Sequence, residues 1–476
     1  MSFEDKFHWL LARYIASPQW VKSSIGAAYS ALPMRVRVGR SYESWRELAS
    51  INQPARVNQL VAEKLQQTLE WALNHVPAYA QYRPLLGSGQ DCFAILQQLP
   101  LLSKEMIKQG GEAYLATHRT KKHRMAMFTG GSTATPMQFC IEKGVTRVKE
   151  YGFIDEFHSR VGLSMNDVVL ALRGRSVPGA QDGTRFWMYE PIKKQLILSS
   201  DHMLAHNMPD YIRAILEWKP RYIQAFPSAL YPLAKWLAQY PEPALAGQFR
   251  GVLLFSENVY PHQAELFEKV FGCPVLKHYG HSERALMAAS KVGDARYFVY
   301  PQYGYTELLD FNGQPVTEPG QLGQLVATSF DNQVMPFVRY QTGDLAVLGR
   351  AAPDAQNVPK GALVLERIEG RLQEFVVTHD LRLISIATLG AAHFNELADV
   401  GAIQYAQSQP GQVELWVEVA GRLPEAMKQK IAQAVSDKTQ GGCTLTVHET
   451  GQIPRSIRGK HQMLRQQLDL SQYQKF

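Results

Sequence analysis

Cysteine is scarce: the 476 residues hold four, Cys92, Cys140, Cys273 and Cys443. Their separation excludes a paired metal signature and a dense disulfide framework, so a reducing compartment is expected. Long apolar runs are absent as well. No stretch reaches the eighteen or so apolar residues of a membrane span, which predicts no transmembrane segment. Met1 to Trp20 carries Glu4 and Asp5 where a secretory leader would be basic, and its apolar run, Phe7 to Leu11, is short. These features point to a cytoplasmic protein. There is no internal repeat, no low-complexity tract and no basic stripe interleaved with aromatics, so nucleic acid is not an expected partner.

What is present is the composition of a globular enzyme, 45% apolar and 20% charged, long enough for two or more compact units. The formal charge of +7 is a mild bias, with local groups at Arg35, Arg37, Arg40 and at Lys121, Lys122, Arg124. It suits anionic small substrates and equally a solvated surface. From Gln59 to Val76, Leu60, Val61, Leu65, Leu69, Ala72, Leu73 and Val76 recur at helical spacing, and Pro77 stops the pattern. Between about Val168 and Phe330, short β-rich runs (Val168 to Leu172, Val252 to Phe255, Gln324 to Ser329) alternate with helical stretches, including Tyr211 to Trp218 and Leu230 to Gln239. Such alternation predicts an α/β architecture. After about Glu366 the texture changes: a strand near Glu414 to Ala420, a helix over Pro424 to Lys438 and a strand at Thr444 to His448 predict a compact α+β unit.

The densest polar signal is Thr129, Gly130, Gly131, Ser132, Thr133, Ala134, Thr135, Pro136. Two glycines let backbone amides approach an anion, and the hydroxyls can donate to phosphate oxygens. An ordinary surface turn has the same composition. No Gly-Lys-Ser/Thr closes the segment, so it is not a Walker loop. Glu283, in Tyr279-Gly280-His281-Ser282-Glu283, is a hard oxygen ligand of the kind magnesium takes beside phosphate and water. His281 next to Ser282 does not make a hydrolase, because no Gly-x-Ser-x-Gly elbow surrounds the serine. Asp344, after Arg339-Tyr340-Gln341-Thr342-Gly343, is an acceptor-only carboxylate suited to two ribose hydroxyls, with Gly343 permitting the turn that aims it. Lys460, in a basic segment, is a flexible point charge that can bridge two anions.

These segments, taken in order, resemble the motifs of the adenylate-forming superfamily, in the branch of phenylacetate-coenzyme A ligases, coenzyme F390 synthetase and CapK-type proteins. Thr129 to Pro136 resembles the phosphate loop, with Gly130 where Ser is usual and Ala134 where Gly is usual. Tyr279 to Glu283 resembles the aromatic-Gly-x-Ser/Thr-Glu motif, and Pro336 to Asp344 the Pro-x-x-Arg-Tyr-x-Thr-Gly-Asp segment. Ile368 to Glu374 resembles the hinge and Ile453 to Lys460 the loop of the catalytic lysine. Ala225 to Ser228 and Ser256 to Asn258 align more weakly, the first before an acyl-pocket helix and the second on the adenine side.

The resemblance implies a large N-terminal multi-layer α/β domain (1–368, with 1–120 a mainly helical lead-in), a hinge (369–373) and a small C-terminal α+β domain (374–476). It implies that Thr129, Gly130, Gly131, Ser132, Thr133 and Thr135 hold phosphates. Tyr279 stacks on adenine beside Ser256, Glu257, Gly280 and Ser282, while Asp344 and Arg371 take the ribose. Glu283 holds Mg2+, Gln373 is the pivot where Asp or Lys is common, and Lys460, Glu283 and Thr133 are catalytic. Zinc is not expected, since Glu283 to Leu308 contains neither Cys nor a further His. The implied activity is ATP-dependent conversion of a small carboxylic acid to an acyl-adenylate with release of pyrophosphate. Transfer to a thiol (CoA or a carrier protein) or to an amine follows, and a homodimer is one assembly open to it. Adenylation or amidation of a cofactor or saccharide is the alternative, and a non-catalytic nucleotide-binding relative is another.

Overall fold

The computed structural model describes Tyr14 and residues 17–473 apart from 15–16, 130–136, 174–176, 178, 181–182, 352–357, 372–374, 387–388, 390–401, 420 and 455–461. Its lead-in is helical. α1 (Pro54–His75) starts on a proline, whose fixed φ suits a first helical turn and whose missing N–H costs nothing there. The stripe Val57, Val61, Leu65, Leu69, Ala72, Leu73 is buried at three- and four-residue spacing, against Phe337, Val338 and Tyr340 of a distant segment. A shorter helix, α2 (Lys104–Gly110), is capped by Ser103, whose hydroxyl accepts from the Met106 amide at 3.1 Å. A hairpin follows, β1 (Arg124–Phe128) antiparallel to β2 (Gln138–Glu142), and then α3 (Thr146–Ser159).

The strands and helices after α3 alternate as the sequence predicts. They are β3 (Val169–Leu172), β4 (Trp187–Glu190), β5 (Gln195–Leu198), α4 (Met208–Trp218), β6 (Tyr222–Ala225), α5 (Pro227–Gln239), β7 (Gly251–Phe255), α6 (Pro261–Phe271) and β8 (Val275–Gly280). Strands β5, β3, β6, β7 and β8 lie side by side and parallel. From β3 the chain goes to β5 on one side and then returns to β6 on the other, so the strand order reverses at β3. Helices α4, α5 and α6 cover one face through Leu170, Leu172, Ile223, Ala225, Val252 and Leu254; α3 covers the other through Phe153 and Phe157. Burial on both faces explains why these strands read as continuous apolar runs.

An antiparallel extension continues the sheet beyond β8: β9 (Met287–Lys291), β10 (Asp294–Val299), β14 (Val364–Arg371), β13 (Tyr340–Leu348), β12 (Leu322–Ser329) and β11 (Gly304–Leu309). After β14 the chain forms the pair β15 (Phe375–Val377) and β16 (Leu383–Ser385), then a separate small sheet. That sheet has the order β19 (Thr444–Thr450), β18 (Gln412–Glu418), β17 (Ile403–Gln409), β20 (Leu464–Gln466). Helix α7 (Glu425–Lys438) packs Ile431 and Val435 on it. The fold is thus a large α/β unit and a small α+β unit with its own core, as expected. Among the described residues no helix is long and apolar enough to cross a membrane.

Candidate active site

The carboxyl ends of the parallel strands converge on one edge of the large sheet. There β6 runs into Phe226-Pro227-Ser228, β7 into Ser256-Glu257 and β8 into Gly280 to Glu283. In open sheets of this kind ligands enter the crevice outside those ends, where strand order reverses. Three of the segments singled out from the sequence, Ala225 to Ser228, Ser256 to Asn258 and Tyr279 to Glu283, therefore meet at one edge.

Glu283 and Asp344 are two of the carboxylates of this edge. Glu283 is 4% exposed and accepts from the Tyr340 hydroxyl and, at 3.1 Å, from His281 Nδ1. Since a carboxylate only accepts, Nδ1 carries a proton. His281 Nε2 is buried and has no partner among the described residues. Burial pushes the Glu283 carboxyl up, but His281, Tyr340 and the charge of Lys104 outweigh it and hold the group at about 2. Glu283 is therefore a stable anion at neutral pH. Among the described residues no three His, Cys, Asp or Glu side chains gather as a metal cage. A magnesium ion here would have Glu283 as its protein oxygen and would complete its shell with phosphate and water, a donor set that fits the ion.

Asp344 accepts from the Tyr279 hydroxyl at 2.5 Å. Burial, and next the charge of Asp344, push the Tyr279 hydroxyl well above its ordinary value, so it remains a donor. Asp344 owes its position to an irregularity in β13. Gln341 pairs with Val326 and Leu345 with Gln324, so three residues, Thr342 to Asp344, stand opposite the single residue Leu325. Thr342 donates to the Leu325 carbonyl at 2.9 Å, and Gly343 has φ +81°, a conformation that suits glycine. The bulge re-aims Asp344 toward Tyr279, as the reading of Gly343 predicted. Asp344 also pairs with Arg371 across β13 and β14.

Ser256 has φ +66° and Arg284 φ +55°, so strained non-glycine backbone brackets the site. Glu257 has a local duty: its carboxylate accepts from the Ser228 amide and hydroxyl, each at 3.0 Å, and so caps the start of α5. Gly280 is exposed and a side chain there would meet nothing within 4 Å; Ser282 is half-buried beside it. Thr129 sits at the neck of the β1–β2 hairpin, where its amide donates to Met137 O and its hydroxyl accepts from the Met137 amide, both at 3.0 Å. The rest of that segment, Gly130, Gly131, Ser132, Thr133 and Thr135 included, lies outside the described residues, as do Gln373, Lys460 and the side chain of Arg371.

Three side chains were not recognised from sequence. Tyr340 holds Glu283. Lys104 brings its Nζ to 3.6 Å from where a Cβ on Gly343 would stand, and its charge acts on Glu283. The lead-in delivers it because Leu102 is stitched to the start of β13: the Leu102 amide donates to Arg339 O and the Gln341 amide to Leu102 O, both at 2.9 Å. The local signal was Ser103 capping a helix that begins with Lys104. Arg339, by contrast, is architectural. It pairs with Glu307 through two nitrogens, at 2.9 and 3.2 Å, and donates to the carbonyls of Gln97 and Leu99 at 3.2 and 3.0 Å. Burial outweighs Arg339 and leaves the Glu307 carboxyl above its ordinary value, so the pair ties segments together without being a large net source of stability.

No protein-family model matches the sequence, and no curated protein matches it. Solved structures do match. A 2-hydroxyisobutyryl-CoA ligase in its postadenylation state, in complex with R3-HIB-AMP, superposes with a TM-score of 0.62 at 15% identity, covering 88% of this chain and 92% of the ligase. The same enzyme with 2-HIB-AMP and CoA in its thioesterification state gives 0.51 at 17% identity, over 88% and 91%. AtGH3.15 acyl acid amido synthetase in complex with 2,4-DB gives 0.56 at 12% identity, over 91% and 95%. This chain is thus built on the fold of adenylate-forming ligases, across nearly the whole length of each.

Proposed function

We propose that the protein activates a carboxylic acid with ATP, releases pyrophosphate, and passes the acyl group from AMP to a thiol or an amine. The observation that carries this reading is the Tyr279–Asp344 and Tyr340–Glu283–His281 cluster at the carboxyl edge of a sheet shared with a CoA ligase and an amido synthetase. Asp344 receives the ribose hydroxyls together with Arg371, and the Tyr279 ring stacks on adenine beside Ser256, Glu257 and Gly280. The hairpin tip, Thr129 to Pro136, grips the phosphates that leave, with Thr133 reaching the transferring group. Glu283 would hold a magnesium ion, which would supply charge neutralisation on the phosphate oxygens.

In this reading Glu283 arrives as an anion already fixed by Tyr340 and His281, so little reorganisation accompanies ion binding. Lys104 and Lys460 bring positive charge from opposite ends of the chain to where two anions, carboxylate and α-phosphate, must meet. The small unit, 374–476, then turns about Gly370 to Gln373, withdrawing Lys460 and admitting the acceptor, CoA or a carrier thiol or an amine. The motif order resembles that of the phenylacetate-CoA ligase, F390 synthetase and CapK branch. The experiment is acid-dependent ATP–pyrophosphate exchange by the purified chain. Exchange that appears only with an added acid supports the reading, and its absence across a broad acid panel refutes it.

A further inference from the structure

A polar cluster lies on the α3 face of the sheet. Arg173 follows β3 and Gln224 lies on β6, the two adjacent strands at the reversal of strand order. An Arg173 amino group donates to Gln224 Oε1 at 2.6 Å, and the guanidinium carbon lies 5.4 Å from the centre of the Phe255 ring. Gln224 Nε2 meets His158 Nε2 at 3.1 Å. An amide nitrogen only donates, so His158 Nε2 accepts and its proton sits on Nδ1. Gln224 thus orients the guanidinium on one side and is held by an α3 imidazole on the other.

His278, the residue before Tyr279, stands beside this relay. Its ring lies 5.6 Å from Phe255 and 5.2 Å from Phe157, which fix its plane. Its Nδ1 is buried and has no hydrogen-bond partner among the described residues. Burial lowers His158 to about 3 and His278 to about 4, so both rings are neutral near neutral pH. Tyr222, Ile223 and Ala225 around Gln224 are apolar core, so a purely apolar floor was available to this strand. A buried polar atom left unmade is costly, and a ligand that completes it gains correspondingly in discrimination.

We propose that this cluster is the acid-recognition end of the site and that the substrate is a carboxylic acid bearing a second oxygen function, a hydroxyl or a further carboxyl, read by His278 Nδ1 and Arg173. The inference rests on the adenylation reading and names its substrate class. A hydroxyl or carboxylate oxygen can accept from the guanidinium, and His278 Nδ1 can accept from a hydroxyl when bare or donate to either oxygen when it carries the ring proton. A plain alkyl or aryl acid of equal length would leave the cluster buried and uncompleted.

The test is ATP–pyrophosphate exchange by the full chain with matched acids: butanoate, 4-hydroxybutanoate and succinate; hexanoate and adipate; benzoate and 4-hydroxybenzoate. The oxygenated member of at least one series is expected to have a kcat/KM at least about tenfold above its plain partner. His278→Phe and, separately, Gln224→Leu should bring that ratio toward one. Preference of the unaltered protein for the plain acids, or a ratio unmoved in both variants, overturns the inference while leaving adenylation standing. Exchange with no acid at all overturns both. The preference of the unaltered protein is informative even where a variant does not fold.

Discussion

Replacing Glu283 with Gln keeps the side chain's size and removes its charge. In the folded protein the carboxyl sits at about 2 against an ordinary 4.5. The group is 4% exposed, so solvent screens little of this, and the difference corresponds to about 3 kcal/mol of stability at neutral pH. The folded value lies below the unfolded one, so the contribution is complete above pH ~4.5 and is lost as the pH falls toward ~2. Urea unfolding of both proteins between pH 7 and pH 2.5, followed by tryptophan fluorescence, measures it. The stability gap should be constant from pH 7 to about 5 and then narrow by about 3 kcal/mol at the acid end. At pH 7.5 the same variant should lose acid-dependent exchange by at least about a hundredfold, through the missing metal ligand. A gap that does not change with pH would refute the claim that His281, Tyr340 and Lys104 hold Glu283 as an anion.

Arg339→Met should destabilise the protein by about 3–5 kcal/mol in the same unfolding assay, because Glu307 would be left buried without its partner. If Arg339 bound nucleotide instead, the variant would keep its stability and lose ATP affinity. Asp344→Ala should weaken ATP binding about tenfold or more by calorimetry, through lost hydrogen bonds to a charged acceptor. An unchanged affinity would remove Asp344 from the ribose. Lys104→Ala should lower kcat for exchange about tenfold or more while the fold is retained, and unaltered kinetics would confine Lys104 to its local charge effect on Glu283.

Much of the architecture was legible because it rests on patterns that survive without tertiary context. The three- and four-residue spacing in α1, the apolar runs of β3 and β7, and the alternation in β18 each reflect one buried face or two. Asp344 and Glu283 stood out as candidates because each sits in a segment whose neighbours also carry meaning, and Gly343 is needed where φ is +81°. What sequence did not disclose was long-range pairing. Tyr340 bonds to Glu283 across 57 positions, and Arg339 reaches Gln97 across 242. No local pattern marks a tyrosine that orients a carboxylate, nor a lysine whose neighbour in space is a bulge more than two hundred residues away. The crossing of the lead-in under β13 is likewise invisible, although Gly304, where a Cβ would stand 1.9 Å from the Ala285 carbonyl oxygen, marks how closely β11 passes behind the Glu283 segment.

Acid activation with pyrophosphate release is the chemistry proposed for this site. It is tested most directly by ATP–pyrophosphate exchange against a panel of carboxylic acids, run in parallel on the unaltered chain and on Lys460→Ala. Exchange should require both an acid and magnesium, and should fall nearly to background in the variant while transfer from preformed acyl-adenylate persists. Exchange that is independent of acid, or undiminished in Lys460→Ala, would contradict it.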